Sequence, residues 1–229
     1  IPANVVNFTG KAFYYKNGNQ SSDKITLNCP QLKSIRFAKG SKITSLPDFY
    51  VYAPNSRPFP ALTSIEIPAG VETIAEYTFY NTQLSNIIFE EGSKLKTIEK
   101  NAFYYCKNLT SINLPNSVTV IGGSAFNECT NLTRITIPNG VTTIEISTFE
   151  DCAGLTEITI PDSVTSIGKY AFSGCSNITS VTIGKSVKTI GEDAFRGCNA
   201  LKSVYCKATT PPSTSGDYIF SILDNNYYY

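Results

Sequence analysis

The chain has 229 residues, 41% hydrophobic and 16% charged, with a formal net charge of +1. It is too apolar for disorder and too interrupted for a membrane span, and it lacks the basic excess that nucleic acid or anionic lipid would require. His, Met and Trp are absent; without His, the commonest general base and the commonest transition-metal ligand are missing.

In chain order, residues 1–31 read as an N-terminal cap, with Asn17-Gly18 as a hairpin turn between two β-prone runs. Ile1 is not a start residue, so a preceding segment is expected to have been removed. From Leu32 the chain is periodic. The coil at Leu32 has 30 residues, and Pro47, Pro54, Pro58 and Pro60 exclude a regular helix or central strand in its second half. Residues 47–60 therefore read as an irregular surface loop. Coils at Leu62 and Leu84 have 22 and 25 residues. Leu109, Leu132, Leu155, Ile178 and Leu201 then follow at intervals of 23, as do Ile121, Ile144, Ile167 and Ile190, and Phe126, Phe149, Phe172 and Phe195. Self-similarity at this period is the mark of a solenoid.

One coil can be read from its spacing. The alternation of Ile112 and Leu114 suits a strand buried on one face. Pro115 marks the strand's end. Val118 and Ile121 turn inward from a second short extended segment, and Gly122 is expected to allow a sharp turn. Ala125, Phe126 and Cys129 have the spacing of one helical or 3-10 turn. The predicted fold is an α/β-type repeat solenoid of about eight coils over residues 32–206, right-handed, with one continuous parallel sheet on the order of 40 Å long. Its strands centre on Ile35, Ile65, Ile87, Ile112, Ile135, Ile158, Val181 and Val204. Residues 207–229 form a C-terminal capping tail, expected to pack on the last coil because Ile219, Phe220, Ile222 and the terminal Tyr residues are too apolar for a solvated end.

Seven Cys invite a disulfide or metal reading. Yet Cys106, Cys129, Cys152, Cys175 and Cys198 fall one per coil, Cys29 shares their register, and Phe59 and Asn81 fill it in the coils between. A column that accepts Phe, Asn and Cys is a packing column, and parallel Cβ vectors would strain a disulfide. No CxxC-like pair converges for zinc. The five ladder thiols are expected to be buried and unpaired, with no metal and no cofactor. Asn108, Asn131 and Asn177 lie in N-x-T sequons, but they share one coil position with Gly154. That points to a left-handed backbone residue rather than to glycosylation.

The motif I-P-x-x-V-x-x-I-G-x-x-A-F-x-x-C resembles the BspA-like, or Treponema pallidum type, leucine-rich repeats. The match is close over residues 109–206 and looser over 29–108. Such proteins occur on surfaces of anaerobic bacteria such as Bacteroidetes and some protists, and members are implicated in adhesion. The resemblance implies a secreted or cell-surface recognition module whose partner is a host or neighbouring-cell protein or a glycan. A carbohydrate-binding accessory or a structural spacer is the alternative.

No catalytic constellation is present: no Ser-His-Asp or Cys-His set can form, and Gly122-Gly123 carries no G-K-[ST]. Candidate binding residues are those that the repeat does not fix. Along the strands, two outward columns read Ser34, Ser64, Asn86, Ser111, Arg134, Glu157, Ser180, Ser203 and Arg36, Glu66, Ile88, Asn113, Thr136, Thr159, Thr182, Tyr205. Arg134 and Glu157 are expected to pair across strands. Arg36, Glu66, Ile88 and Tyr205 break the small polar pattern. Phe49, Tyr50, Tyr52 and Arg57 belong to the irregular loop, and Tyr104-Tyr105 adds contact area.

Overall fold

A strand buried on one face alternates inward and outward residues, and a proline at its end denies the ladder a donor. These two rules set the coil seen in the computed structural model, which describes residues 5–8, 31–37, 41–46, 59–216 and 219. The first ladder comprises β1 (Val5–Phe8), β2 (Ser34–Phe37), β4 (Ser64–Ile67), β6 (Asn86–Phe89), β8 (Ser111–Ile112), β10 (Arg134–Ile135), β12 (Glu157–Thr159), β14 (Ser180–Ile183) and β16 (Ser203–Cys206). All eight expected strand centres fall within these strands. Each strand then stops at a reverse turn in which Val118, Val141 and Val164 donate to Pro115, Pro138 and Pro161 O at 3.1, 3.0 and 3.1 Å.

The turn delivers the chain to a second ladder: β3 (Ser45–Leu46), β5 (Thr73–Ile74), β7 (Thr97–Ile98), β9 (Val120–Ile121), β11 (Thr143–Ile144), β13 (Ser166–Ile167), β15 (Thr189–Ile190) and β17 (Ser213–Thr214). Pairing among the described strands is parallel throughout and joins equivalent residues, as in Ile144↔Ile167↔Ile190. The expected single continuous sheet is replaced by two sides. The first side is divided into the ladders β1-β2-β4-β6, β8-β10 and β12-β14-β16, the second into β3-β5-β7-β9 and β11-β13-β15-β17.

The third side differs from its expectation. Among the described residues there is no helix; the segments carrying Phe103, Phe126, Phe149, Phe172 and Phe195 are turns. A helical or 3-10 turn would direct its N–H groups back along its own coil. Here they alternate. Cys129 N donates to Phe126 O at 3.1 Å within the coil, whereas Phe126 N donates to Thr148 O of the next coil at 2.9 Å. Phe103, Phe149 and Phe172 do the same with Ala125, Ala171 and Ala194. Left-handed residues four apart, Ser124/Glu128, Ser147/Asp151 and Tyr170/Gly174, turn alternate peptides along the stack axis. A left-handed non-glycine residue costs about 1–2 kcal/mol; the inter-coil hydrogen bond and the packing it permits offset that.

The turn expected at Gly122 is present, with Ala125 N donating to Gly122 O at 3.1 Å, but the glycine itself serves a further purpose. It is not left-handed; the positive φ belongs to Ser124. A Cβ on Gly122 would lie 2.5 Å from Lys100 N, and one on Gly191 2.4 Å from Lys169 N. Glycine permits successive coils to touch there. The Asn108/Asn131/Asn177 position is not left-handed either. Asn131 Nδ2 instead donates to Lys107 O at 2.8 Å, and Asn108 Nδ2 to Gln83 Oε1 at 2.7 Å.

Inside, the columns close-pack. Phe79, Phe103, Phe126, Phe149, Phe172 and Phe195 stack at 5.2, 5.2, 5.6, 5.3 and 5.1 Å between centroids. Beside them lie the buried free thiols Cys106, Cys129, Cys152, Cys175 and Cys198. Each Sγ donates to the Phe carbonyl of the preceding coil: Cys106 to Phe79 at 3.0 Å, Cys129 to Phe103 at 3.2 Å, Cys152 to Phe126 at 3.1 Å. Cys175 and Cys198 continue the series at 3.1 and 3.3 Å. The residue that fills this column before Cys106 is Thr82, not Asn81, because Asn81 takes the left-handed position outside it. Thr82 is buried, and its hydroxyl donates to Phe79 O at 3.0 Å. From Thr82 onward the column holds a small side chain with a donor, and one coil earlier the buried Phe59 fills it. At the chain's far end Phe195 N donates to Ile219 O at 2.9 Å, and Ile219 is buried. The Asn17-Gly18 hairpin, Cys29, residues 47–58 of the irregular loop, and residues 217–218 and 220–229 of the tail lie outside the described residues.

Two outcomes follow. Cys152→Thr should unfold in urea within about 1.5 kcal/mol of the parent, because Thr82 already satisfies the column's demand; Cys152→Asp should lose more than about 4 kcal/mol by burying an unpaired charge. Burial also pushes the Cys106 and Cys198 thiols from the ordinary 9.0 up to about 12, and Cys129, Cys152 and Cys175 well above 9.0. The unfolded chain would ionise first, so the stability these neutral thiols hold is complete below pH 9 and is lost as pH rises towards 12. Thermal unfolding followed across that window should show a falling midpoint, with a shallower fall in Cys106→Ser.

Candidate functional site

On the first side, inward Ile and Leu residues bind each strand to the core and leave its alternate residues to solvent. Glu66 on β4 pairs in register with Ile88 on β6, and Arg36 on β2 is next along the column. All three are exposed. Ile88 is 49% exposed, an apolar side chain held out of the core by its register. Tyr205 on β16 is 66% exposed and follows Thr159 and Thr182 in the same column. It lies five strands beyond Ile88, about 24 Å at ordinary strand spacing. The structure thus brings Arg36, Glu66 and Ile88 together and leaves Tyr205 apart. Phe49, Tyr50, Tyr52 and Arg57 lie outside the described residues. Arg134 and Glu157 are both exposed, and no ion pair joins them; β10 and β12 face each other without a hydrogen-bonded ladder.

Two features were not singled out from the sequence. On the second side, a shallow groove of about 330 Å³ crosses the last coils, floored by Gly168 and Gly191 and lined by hydroxyls of Thr143, Ser166, Thr189 and Ser213. Exposed Val120 and Ile146 stand on the same side. On the turn side, Tyr77 and Tyr80 join Tyr104 and Tyr105. Tyr80 and Tyr104 lie 5.5 Å apart between centroids, and edge contacts of 5.8 and 5.7 Å link Tyr77 to Tyr80 and Tyr104 to Tyr105. The signal was available in the repeat: Tyr80 and Tyr104 each follow a column Phe, so they must stack.

For chemistry the arrangement offers little. Among the described residues no group of three or more His, Cys, Asp or Glu is placed to hold a metal ion. The acids are dispersed, and several hold lysines, as in Glu72–Lys96 at 2.8 Å and Glu192–Lys169 at 2.6 Å. Lys169 and Glu192 belong to the second side's edge, away from the strand columns. Among the described residues no helix is long and apolar enough to cross a membrane.

Comparison with known proteins agrees with this architecture. A family model described as BspA type leucine rich repeat region matches residues 1–93, 49–179 and 96–225. A leucine-rich-repeat protein of T. pallidum is similar over 85% of this chain and 91% of its own, with 25% identity and a TM-score of 0.65. A leucine-rich cell surface protein of Faecalibacterium prausnitzii shares 26% identity, with a TM-score of 0.53 over 79% of this chain and 61% of its own. The pneumococcal vaccine antigen PcpA shares the fold at 24% identity and a TM-score of 0.50, over 76% of this chain and 45% of its own. No curated protein matches the chain.

Because Ile88 and Tyr205 contribute little to packing, Ile88→Ser and Tyr205→Ala should each change the free energy of unfolding by less than about 0.5 kcal/mol. Phe149→Ala, which opens the stacked column, should cost about 3–5 kcal/mol in the same urea titration.

Proposed function

The chain belongs to the BspA type leucine-rich-repeat family, and we propose that it is a non-catalytic recognition module, secreted or held at a cell surface, that binds a protein ligand through its first-side strand face. The observation that carries this reading is the Arg36, Glu66 and Ile88 column. Nearly every recurring residue has a role in stacking, and these three do not. An exposed isoleucine between charged and polar neighbours has the make-up of a contact patch, where an apolar centre is rimmed by polar groups. Binding residues carried by a rigid scaffold are a general pattern. Export fits the thiol column, whose burial would protect it from oxidation. The F. prausnitzii relative is titled a cell surface protein and the pneumococcal neighbour a vaccine antigen; a surface location here extends from those names.

The test is an array of host matrix proteins and glycans probed with the purified chain. A protein hit whose binding falls about tenfold or more in Ile88→Asp, with unfolding unchanged, is the expected result. Tyr205→Ala should weaken the hit by about 1 kcal/mol or more if the ligand spans the face. Hits confined to glycans would favour the carbohydrate-binding alternative. No hits, or hits insensitive to Ile88 and Glu66, would favour a spacer.

A further inference from the structure

The turn side carries a second patch that packing does not require. Its two outward columns follow each core Phe. One runs Tyr80, Tyr104, Asn127, Glu150, and the other Asn81, Tyr105, Glu128, Asp151. Backbone bonds hold neighbouring members one coil apart: Asn81 N to Tyr104 O at 2.8 Å, Tyr105 N to Asn127 O at 2.9 Å, and Glu128 N to Glu150 O at 2.9 Å. An aromatic cluster therefore abuts an acidic one on a rigid ladder. Tyr80, Tyr104 and Tyr105 are half-buried.

The charges do not balance. Among the described residues the cation that pairs with these acids, Glu128, Glu150 and Asp151, is Lys107, whose Nζ lies 3.4 Å from Glu128 and 3.9 Å from the centre of the Tyr105 ring; Arg196, two coils further along, is held by Asp193. Glu150 accepts only an uncharged donor, Asn127 Nδ2, at 3.2 Å. Burial and the neighbouring Glu128 hold Asp151 above the usual carboxylate range. Burial, with Glu128 and Glu150 adding to it, raises the Tyr104 hydroxyl. In both cases burial is the larger cause and the neighbouring carboxylates add to it. Lys107 shows what suits the patch: an ammonium that uses a ring face and a carboxylate together.

We propose that this patch docks an arginine-rich segment of a partner protein, with the guanidinium groups of some arginines stacked on Tyr80 and Tyr104 and those of others, further along the stack, paired to Glu150 and Asp151. Arginine fits better than lysine. Its planar guanidinium lies flat on an aromatic ring and still presents a fork of donors to a carboxylate. The patch is on a different side of the coil from the strand face, so it can be occupied independently of the ligand proposed above.

The full chain is titrated with an oligoarginine peptide, and with the same peptide in citrulline, at low and at physiological ionic strength. Citrulline keeps the shape and removes the charge. The expected result is binding of the arginine peptide alone, weakened by added salt. Glu150→Gln with Asp151→Asn should weaken it about tenfold, as should Tyr80→Ala with Tyr104→Ala. The amide variant keeps shape, and asparagine tolerates the left-handed backbone of Asp151, so its thermal unfolding should match the parent's; this arm stands if the tyrosine variant folds poorly. Absence of arginine-peptide binding overturns the proposal. So does equal binding of the citrulline peptide, or binding that persists in the Glu150/Asp151 variant. Binding that is lost in Glu66→Gln instead would place the cationic site on the strand face and overturn it as well.

Discussion

Each coil must place its polar backbone in contact with another coil, because a coil of 23 residues has too little interior to satisfy itself. Two sides do this with parallel ladders. The third does it with left-handed residues that direct alternate N–H groups along the stack, as from Phe126 to Thr148 and from Phe149 to Ala171. The rest follows from that constraint. The Phe rings stack because their backbone positions are tied one coil apart. The thiols fill the space beside them because each Phe carbonyl, already bonded to a Cys N–H, accepts a second donor from the next coil. Glycine occurs where the coils touch. Once every interior group has its partner in the stack, the outward residues are free to differ between coils, and there function can reside.

The sequence was a good guide to what repeats. Ile112, Ile135 and Ile158 alternate as strands because only one face is buried, and a period of 2 is visible over a few residues. It was a poor guide to direction. Ala125, Phe126 and Cys129 have helical spacing, but that spacing does not say whether an N–H bonds back along its own coil or across to the next. The deciding partners, Thr148 and Ala171, lie about one period away. The Asn81/Thr82 register shows the same difficulty: an irregular coil shifts the count by one, and only the buried hydroxyl on Phe79 O reveals which residue fills the column. Gly122 was assigned to a sharp turn and Asn131 to left-handed backbone on residue type. Their reasons are contact with Lys100 and a hydrogen bond to Lys107.

The candidate surface was legible in part, for the same reason. Alternation shows that Arg36, Glu66, Ile88 and Tyr205 point outward, and they do. It does not group them; β-strand register joins the first three and leaves Tyr205 at the far end. The turn-side patch was half visible as Tyr104-Tyr105. Its acidic half, from the coils of Glu128 and Asp151, emerges once those coils are stacked beside it. A solenoid turns one-dimensional spacing into surface, so residues a period apart in sequence become neighbours.

The most direct test of this account is native-state hydrogen exchange of the turn-side amides. Phe126, Phe149 and Phe172 N–H donate across coils at 2.9, 2.9 and 2.8 Å, as Gly168 and Gly191 do on the second ladder at 2.7 and 2.8 Å. If stacking is the interaction on which the structure depends, all five should exchange only through global unfolding, with the same free energy and the same denaturant dependence. Phe amides that exchange far faster than Gly168 and Gly191, through local opening of the turns, would contradict it.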